Sequence, residues 1–85
     1  METRVAVISI ILENSASINE VNKLISDCSD YVVGRMGIPY KKRGLSIISI
    51  VIDSPQDVIS TLSGKLGRLD GVSTKTAYSK YVFND

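Results

Sequence analysis

The densest collection of chemically useful groups is one short stretch, Gly34-Arg35-Met36-Gly37-Ile38-Pro39-Tyr40. A guanidinium such as that of Arg35 pairs well with a carboxylate or a phosphate. Gly34 and Gly37 let backbone N–H groups come close to a bound molecule. Met36 and Tyr40 add a thioether and a phenol. Gly34, Arg35, Met36, Gly37 and Tyr40 are therefore the candidate ligand-binding residues. The plainer alternative is an irregular edge strand with a bulge and a hairpin.

Other groups offer less. Cys28 lies on an apolar helical stripe and reads as a small buried hydrophobe, with a reactive or metal-binding thiol as the alternative. Ser63-Gly64-Lys65-Leu66-Gly67 looks superficially like a phosphate loop but lacks its G-x-x-x-x-G-K-[ST] spacing. It falls at a helix end whose dipole repels anions, so a lysine-assisted cap is the simpler account. Lys41-Lys42-Arg43 reads as a solvated hairpin tip rather than a nucleic-acid contact. Tyr78 and Tyr81 read as ordinary strand aromatics.

Composition excludes whole classes of chemistry. The 85 residues contain no histidine, no tryptophan and one cysteine. Histidine-dependent Ser or Cys nucleophile systems cannot be built. Common zinc sites and thiolate-held iron–sulfur clusters lack their ligands, so no metal site and no cofactor is expected. The expectation is a protein that is not an enzyme. Ten Lys+Arg against nine Asp+Glu leave a net charge of +1 and no field for a phosphate backbone, which argues against direct nucleic-acid binding. No apolar run approaches the about 20 residues of a membrane span. The N-terminus lacks the small-residue cleavage site of a signal peptide, and with a free thiol this points to the cytoplasm.

The elements that must position these groups follow from periodicity. Residues 4–13 and 45–53 are β-branched and apolar on both alternating faces, as strands covered on both sides are. Residues 31–38 form a weaker strand, Pro39 to Gly44 a hairpin loop, and residues 72–83 a more polar last strand. Ser17 and Glu20 read as a capping box for a helix whose stripe is Val21, Leu24, Ile25 and Cys28. Ser54, Pro55 and Asp57 start a second helix with the stripe Val58, Ile59, Leu62 and Leu66. Gly67 is its stop and Asp70-Gly71 a turn.

The order βαββαβ predicts a single α+β domain over residues 1–85, ferredoxin-like, with a four-stranded antiparallel sheet and two helices on one face. The first and third strands should be central, as their hydrophobicity demands. The other sheet face then bares Val5, Val7, Ile11, Leu45, Ile47 and Val51, with Ser9 and Ser49 among them. An apolar patch of this kind exceeds what a monomer usually exposes, so a homo-oligomer, dimer or tetramer, is expected.

The architecture resembles ACT-like regulatory domains and the C-terminal sensing domain of the nickel-responsive repressor. The residues themselves resemble one small bacterial family more closely. They are Met1-Glu2-Thr3-Arg4-Val5-Ala6-Val7-Ile8, the segment Gly34 to Tyr40, Ser46-Ile47-Ile48-Ser49, Asp57-Val58-Ile59-Ser60, Leu62 to Gly67, and Val72-Ser73 through Tyr78-Ser79-Lys80. This is the iron-only hydrogenase system regulator family. The resemblance implies an ACT-like fold and a regulatory role beside hydrogenase maturation genes, through a small-molecule effector or a protein partner. The nickel repressor's histidine ligands and its DNA-binding segment have no counterpart, so neither nickel sensing nor direct repression is expected. The alternatives are a metal-handling or small-molecule-processing ferredoxin-like protein, or a structural partner of hydrogenase maturation proteins.

Overall fold

The computed structural model describes residues 1–85. Its elements are β1 (Glu2–Leu12), α1 (Ile18–Asp27), β2 (Val32–Tyr40), β3 (Leu45–Ser54), α2 (Gln56–Gly67) and β4 (Val72–Asn84). Short 3₁₀ turns at Ser15–Ser17, Ser29–Tyr31 and Lys41–Arg43 join them. The strands form one antiparallel sheet in the order β2-β3-β1-β4. The ferredoxin-like α+β architecture is thus as the sequence predicts, and the two most apolar strands are the central ones.

The period of two in β1 and β3 sorts their side chains cleanly. Ala6, Ile8, Ile10 and Leu12 meet Ile48, Ile50 and Ile52 on one face, all buried. Val21 and Ile25 of α1 and Ile59, Leu62 and Leu66 of α2 close over them, completing a 12-residue core. Both helices therefore cover the same face. The other face is uncovered.

Several local expectations are corrected. Pro39 and Tyr40 belong to β2 rather than to the hairpin loop, which shrinks to the turn ending at Gly44. Pro39 is tolerated because β2 is an edge strand whose outer side needs no ladder donor. Gly44 does take the left-handed φ of 66° that the turn requires. The capping box at Ser17 and Glu20 does not form. Ser17 makes no side-chain cap to α1; its hydroxyl donates to the Asp70 carbonyl at 2.8 Å instead. Ser54 is the buried last residue of β3, its hydroxyl donating to the Pro55 carbonyl, and Pro55 occupies the cap position. Gly67 ends α2 without a left-handed turn.

Two bulges shape the sheet edges. β2 carries one extra residue between Val32 and Gly34, and Val33 is left 68% exposed. β4 slips by two residues opposite Val5. Ser79 fills that gap: its Oγ accepts from Val5 N at 3.3 Å and donates to the Tyr81 carbonyl at 2.8 Å. Arg4 donates to the Ser79 carbonyl at 2.8 Å and lies 4.9 Å over the Tyr78 ring, giving that aromatic a specific partner.

Candidate functional site

The bulge at Val33 decides where the candidate ligand residues point. Val32 pairs with Ile52, on the helix-covered face. One extra residue then moves the even-numbered positions to the open face. Gly34 pairs with Val51, Met36 with Ser49, Ile38 with Ile47 and Tyr40 with Leu45. Arg35 and Gly37 pair with Ile50 and Ile48 and face the helices. The five residues Gly34, Arg35, Met36, Gly37 and Tyr40 are therefore not brought together as one cluster. Strand alternation divides them into two sites.

The first site is the open face. Register lines it up in rows: Gly34–Val51–Val7–Ala77, Met36–Ser49–Ser9–Lys75, and Ile38–Ile47–Ile11–Ser73. Aliphatic rows thus flank a central pair of serines. Val7 is 37% exposed, Ile11 42%, Met36 55%, Ile38 45% and Tyr40 43%. Val5, Leu45, Ile47 and Val51 are half-buried by their neighbours. Sequence reasoning found the β1 and β3 part of this face. It missed that Met36, Ile38 and Tyr40 extend it onto β2, because a one-residue bulge carries no period.

The second site lies between α1 and the inner side of β2. Here a groove of about 250 Å³ is lined by Ile18, Asn22, Arg35, Gly37, Pro39 and Ile48, among others. Arg35 Nη2 donates to Asn22 Oδ1 at 3.1 Å. Asn22 was not legible as a partner. It is a polar helix residue 13 positions away, and only the packing of α1 beside β2 brings the two together.

Cys28 ends α1 beside a cleft of about 200 Å³ between the helices, with Asp27, Asp57 and Lys65 around it. Burial pushes the thiol above its ordinary value of 9.0, Asp27 adds to the rise, and Lys65 opposes it. A thiol held protonated is a poor nucleophile and a poor metal ligand. We expect iodoacetamide to modify Cys28 more slowly at pH 7.5 in the folded chain than in urea, read by mass spectrometry. Because the folded state holds this proton more tightly, the associated stability is complete below pH 9 and is lost as the pH rises above it. No group of three or more His, Cys, Asp or Glu side chains is placed to share a metal ion. No helix is long and apolar enough to cross a membrane.

This sheet, with both helices on one side, defines the chain as a ferredoxin-like α+β domain, and solved structures agree. A formyltetrahydrofolate deformylase from Pseudomonas putida matches with TM-score 0.63 at 11% identity, over 86% of this chain and 28% of that one. The apo form of CPII from Thiomonas intermedia, a nitrogen regulatory PII-like protein, matches with TM-score 0.55 at 13% identity, over 99% and 98%. At such identities the likeness shows the fold alone. An uncharacterized protein, TM1266 from Thermotoga maritima, is more similar: TM-score 0.88 and 32% identity, over 92% of this chain and 99% of that one. The model of the TM1266-like family, described as "Iron-only hydrogenase system regulator, putative", matches residues 4–76. The chain belongs to that family. No curated protein matches the sequence.

Proposed function

We propose that the chain is a cytoplasmic, non-catalytic regulatory protein of the iron-only hydrogenase system that works as a homo-oligomer. Its second copy packs on the open sheet face. Effector or partner binding at the β2 edge is passed on through that assembly. Family membership supports the regulatory part.

The observation that carries the assembly is the open face itself. Five large apolar side chains there keep 37–55% of their surface in water. Covering each contributes roughly 1 kcal/mol, about half of what full burial of such a side chain gives. A second copy is the occupant the charges favour. The face carries one base, Lys75, in register with Ser9, and one acid, Asp53, in register with Val5. Two copies therefore meet with no net charge between them, and Ser9 and Ser49 at the centre let the backbones approach.

The test combines physics with physiology. Sedimentation equilibrium should detect species above the 9.3 kDa of one chain, increasing with concentration. In a host lacking the gene, hydrogenase activity should change and be restored by the native chain but not by a face-disrupted variant. A strictly monomeric chain, or full restoration by that variant, would refute the reading.

A further inference from the structure

We propose that the groove between α1 and β2 binds a small amphipathic carboxylate, a single carboxylate on a short branched aliphatic body. As the effector of the regulatory reading above, this ligand rests on that reading for its role, though not for its binding.

Charge comes first. Arg35 enters the groove with one protein hydrogen bond, to the neutral Asn22 Oδ1. No aspartate or glutamate lines the groove. A guanidinium has five donors in a planar fork, so most of this fork is unused. The Asn22 amide turns its oxygen to Arg35, which leaves its NH₂ as a further donor at the same rim. The groove therefore offers donors and positive charge with no acid to neutralise them.

Shape and polarity narrow the class. Apart from Asn22, Arg35 and Ser46, the lining is aliphatic or backbone: Ile18, Pro39 and Ile48 form much of it. A phosphate dianion calls for several cations or a cradle of backbone N–H groups. One planar fork above an apolar wall suits a carboxylate with a hydrocarbon body. The volume, about 250 Å³, lies below the roughly 300–1,000 Å³ of sites for drug-sized ligands, so the body is short.

Gly37 supplies an independent observation. It sits in β2 with no positive φ, and a Cβ built there meets nothing within 4 Å. Neither backbone strain nor crowding requires glycine. Glycine in a strand ordinarily weakens it. What its missing side chain does achieve is an unobstructed groove beside Arg35. The Val33 bulge completes the arrangement, since without it Arg35 would fall on the opposite face.

Isovalerate is the probe, titrated into the ¹⁵N-labelled full chain and followed by NMR. The Gly37 backbone amide and the Asn22 side-chain amide should shift and saturate in the millimolar range. Isovaleramide, which lacks the charge, acetate, which lacks the body, and inorganic phosphate should each bind at least ~10-fold more weakly. Arg35→Gln should weaken isovalerate at least ~10-fold, and so should Gly37→Val, which fills the groove. Both should keep the native spectrum elsewhere. The proposal is overturned if isovaleramide or phosphate binds as well as isovalerate. It is equally overturned if Arg35→Gln changes nothing, or if no shift appears at these two amides by about 20 mM. Sedimentation of the same samples separates the two readings. Loss of isovalerate binding with assembly intact removes the ligand assignment alone, and a monomer that still binds isovalerate removes the assembly alone.

Discussion

Replacing Ile11 by lysine should abolish self-association while leaving the fold of the single chain intact. Ile11 pairs with Ile47 and Ser73 on the open face and is already 42% exposed. In an isolated chain a lysine there keeps its stem along the sheet and its ammonium in water, at a cost below about 1 kcal/mol. In a sheet-on-sheet assembly the same ammonium would be buried without a carboxylate, which costs several kcal/mol. Each assembly of two carries the substitution twice. Dissociation should therefore strengthen by at least ~100-fold, since each 1.4 kcal/mol is a factor of ten. Sedimentation equilibrium reads the change, and far-ultraviolet circular dichroism with Tm checks the fold. Ser60→Lys, on the exposed side of α2, is the control and should sediment as the native chain does. If Ile11→Lys also sediments like the native chain, the open face is not where copies meet.

That prediction depends on the part of the molecule most legible in the sequence. Both faces of β1 and β3 are apolar, and a period of two assigns each residue to a side without any tertiary information. Ile8, Ile10, Ile50 and Ile52 had to be inside together, and Val7, Ile11, Ile47 and Val51 outside together. Central placement of the two strands followed from the same pattern. Legibility stopped at β2. Its glycines signalled a bulge but could not place it, and a single extra residue exchanges the two faces of everything after it. The segment Gly34 to Tyr40 therefore looked like one ligand cluster. In the fold it is a groove residue pair, Arg35 and Gly37, backed against an apolar row of Met36, Ile38 and Tyr40.

The start of α1 shows a second kind of limit. Ser17 and Glu20 have capping-box spacing, which is a local rule. In the fold Ser17 has φ −90° and ψ −2° rather than the extended backbone of a capping residue, and its hydroxyl is oriented by donating to the Asp70 carbonyl, which is distant in sequence and adjacent in space. A buried hydroxyl follows the partner that satisfies it in the packed state, whatever the local motif offers. Conversely, the local rules that held were those the tertiary structure does not oppose. Gly44 adopts its left-handed turn in open space, and at Asp70-Gly71 the close approach of Asn14 favours the same glycine turn that the composition predicts.

The second large effect is expected at that same junction, from Gly71→Ala. Gly71 has φ 72°, a left-handed conformation that costs a residue with Cβ about 1–2 kcal/mol. Its surroundings add much more. A Cβ there would lie 2.5 Å from Asn14 Cβ and 3.0 Å from Asn14 N. Neither of those atoms is the free end of a flexible side chain, so the backbone must shift. That shift pulls on the bonds that tie the two connections together: Glu13 N to the Gly71 carbonyl at 2.7 Å, Ser17 Oγ to the Asp70 carbonyl at 2.8 Å, and Asn14 Nδ2 to Asp70 Oδ2 at 3.3 Å. Strain, collision and weakened bonds together should cost about 3–5 kcal/mol. For a domain of this size that lowers Tm by more than about 12 °C. Gly44→Ala separates the causes. Its φ is 66°, yet a Cβ there meets nothing, so it should lose only the strain of about 1–2 kcal/mol. Ser17→Ala, which removes one partly buried bond to the Asp70 carbonyl, should cost about 1 kcal/mol, and Glu20→Gln, which caps nothing, less than about 0.5 kcal/mol. Equal losses at Gly71 and Gly44 in urea unfolding would mean that the α1 start and the β4 turn are not locked together. A Glu20→Gln loss as large as that of Ser17→Ala would restore the local cap as the determinant of where α1 begins.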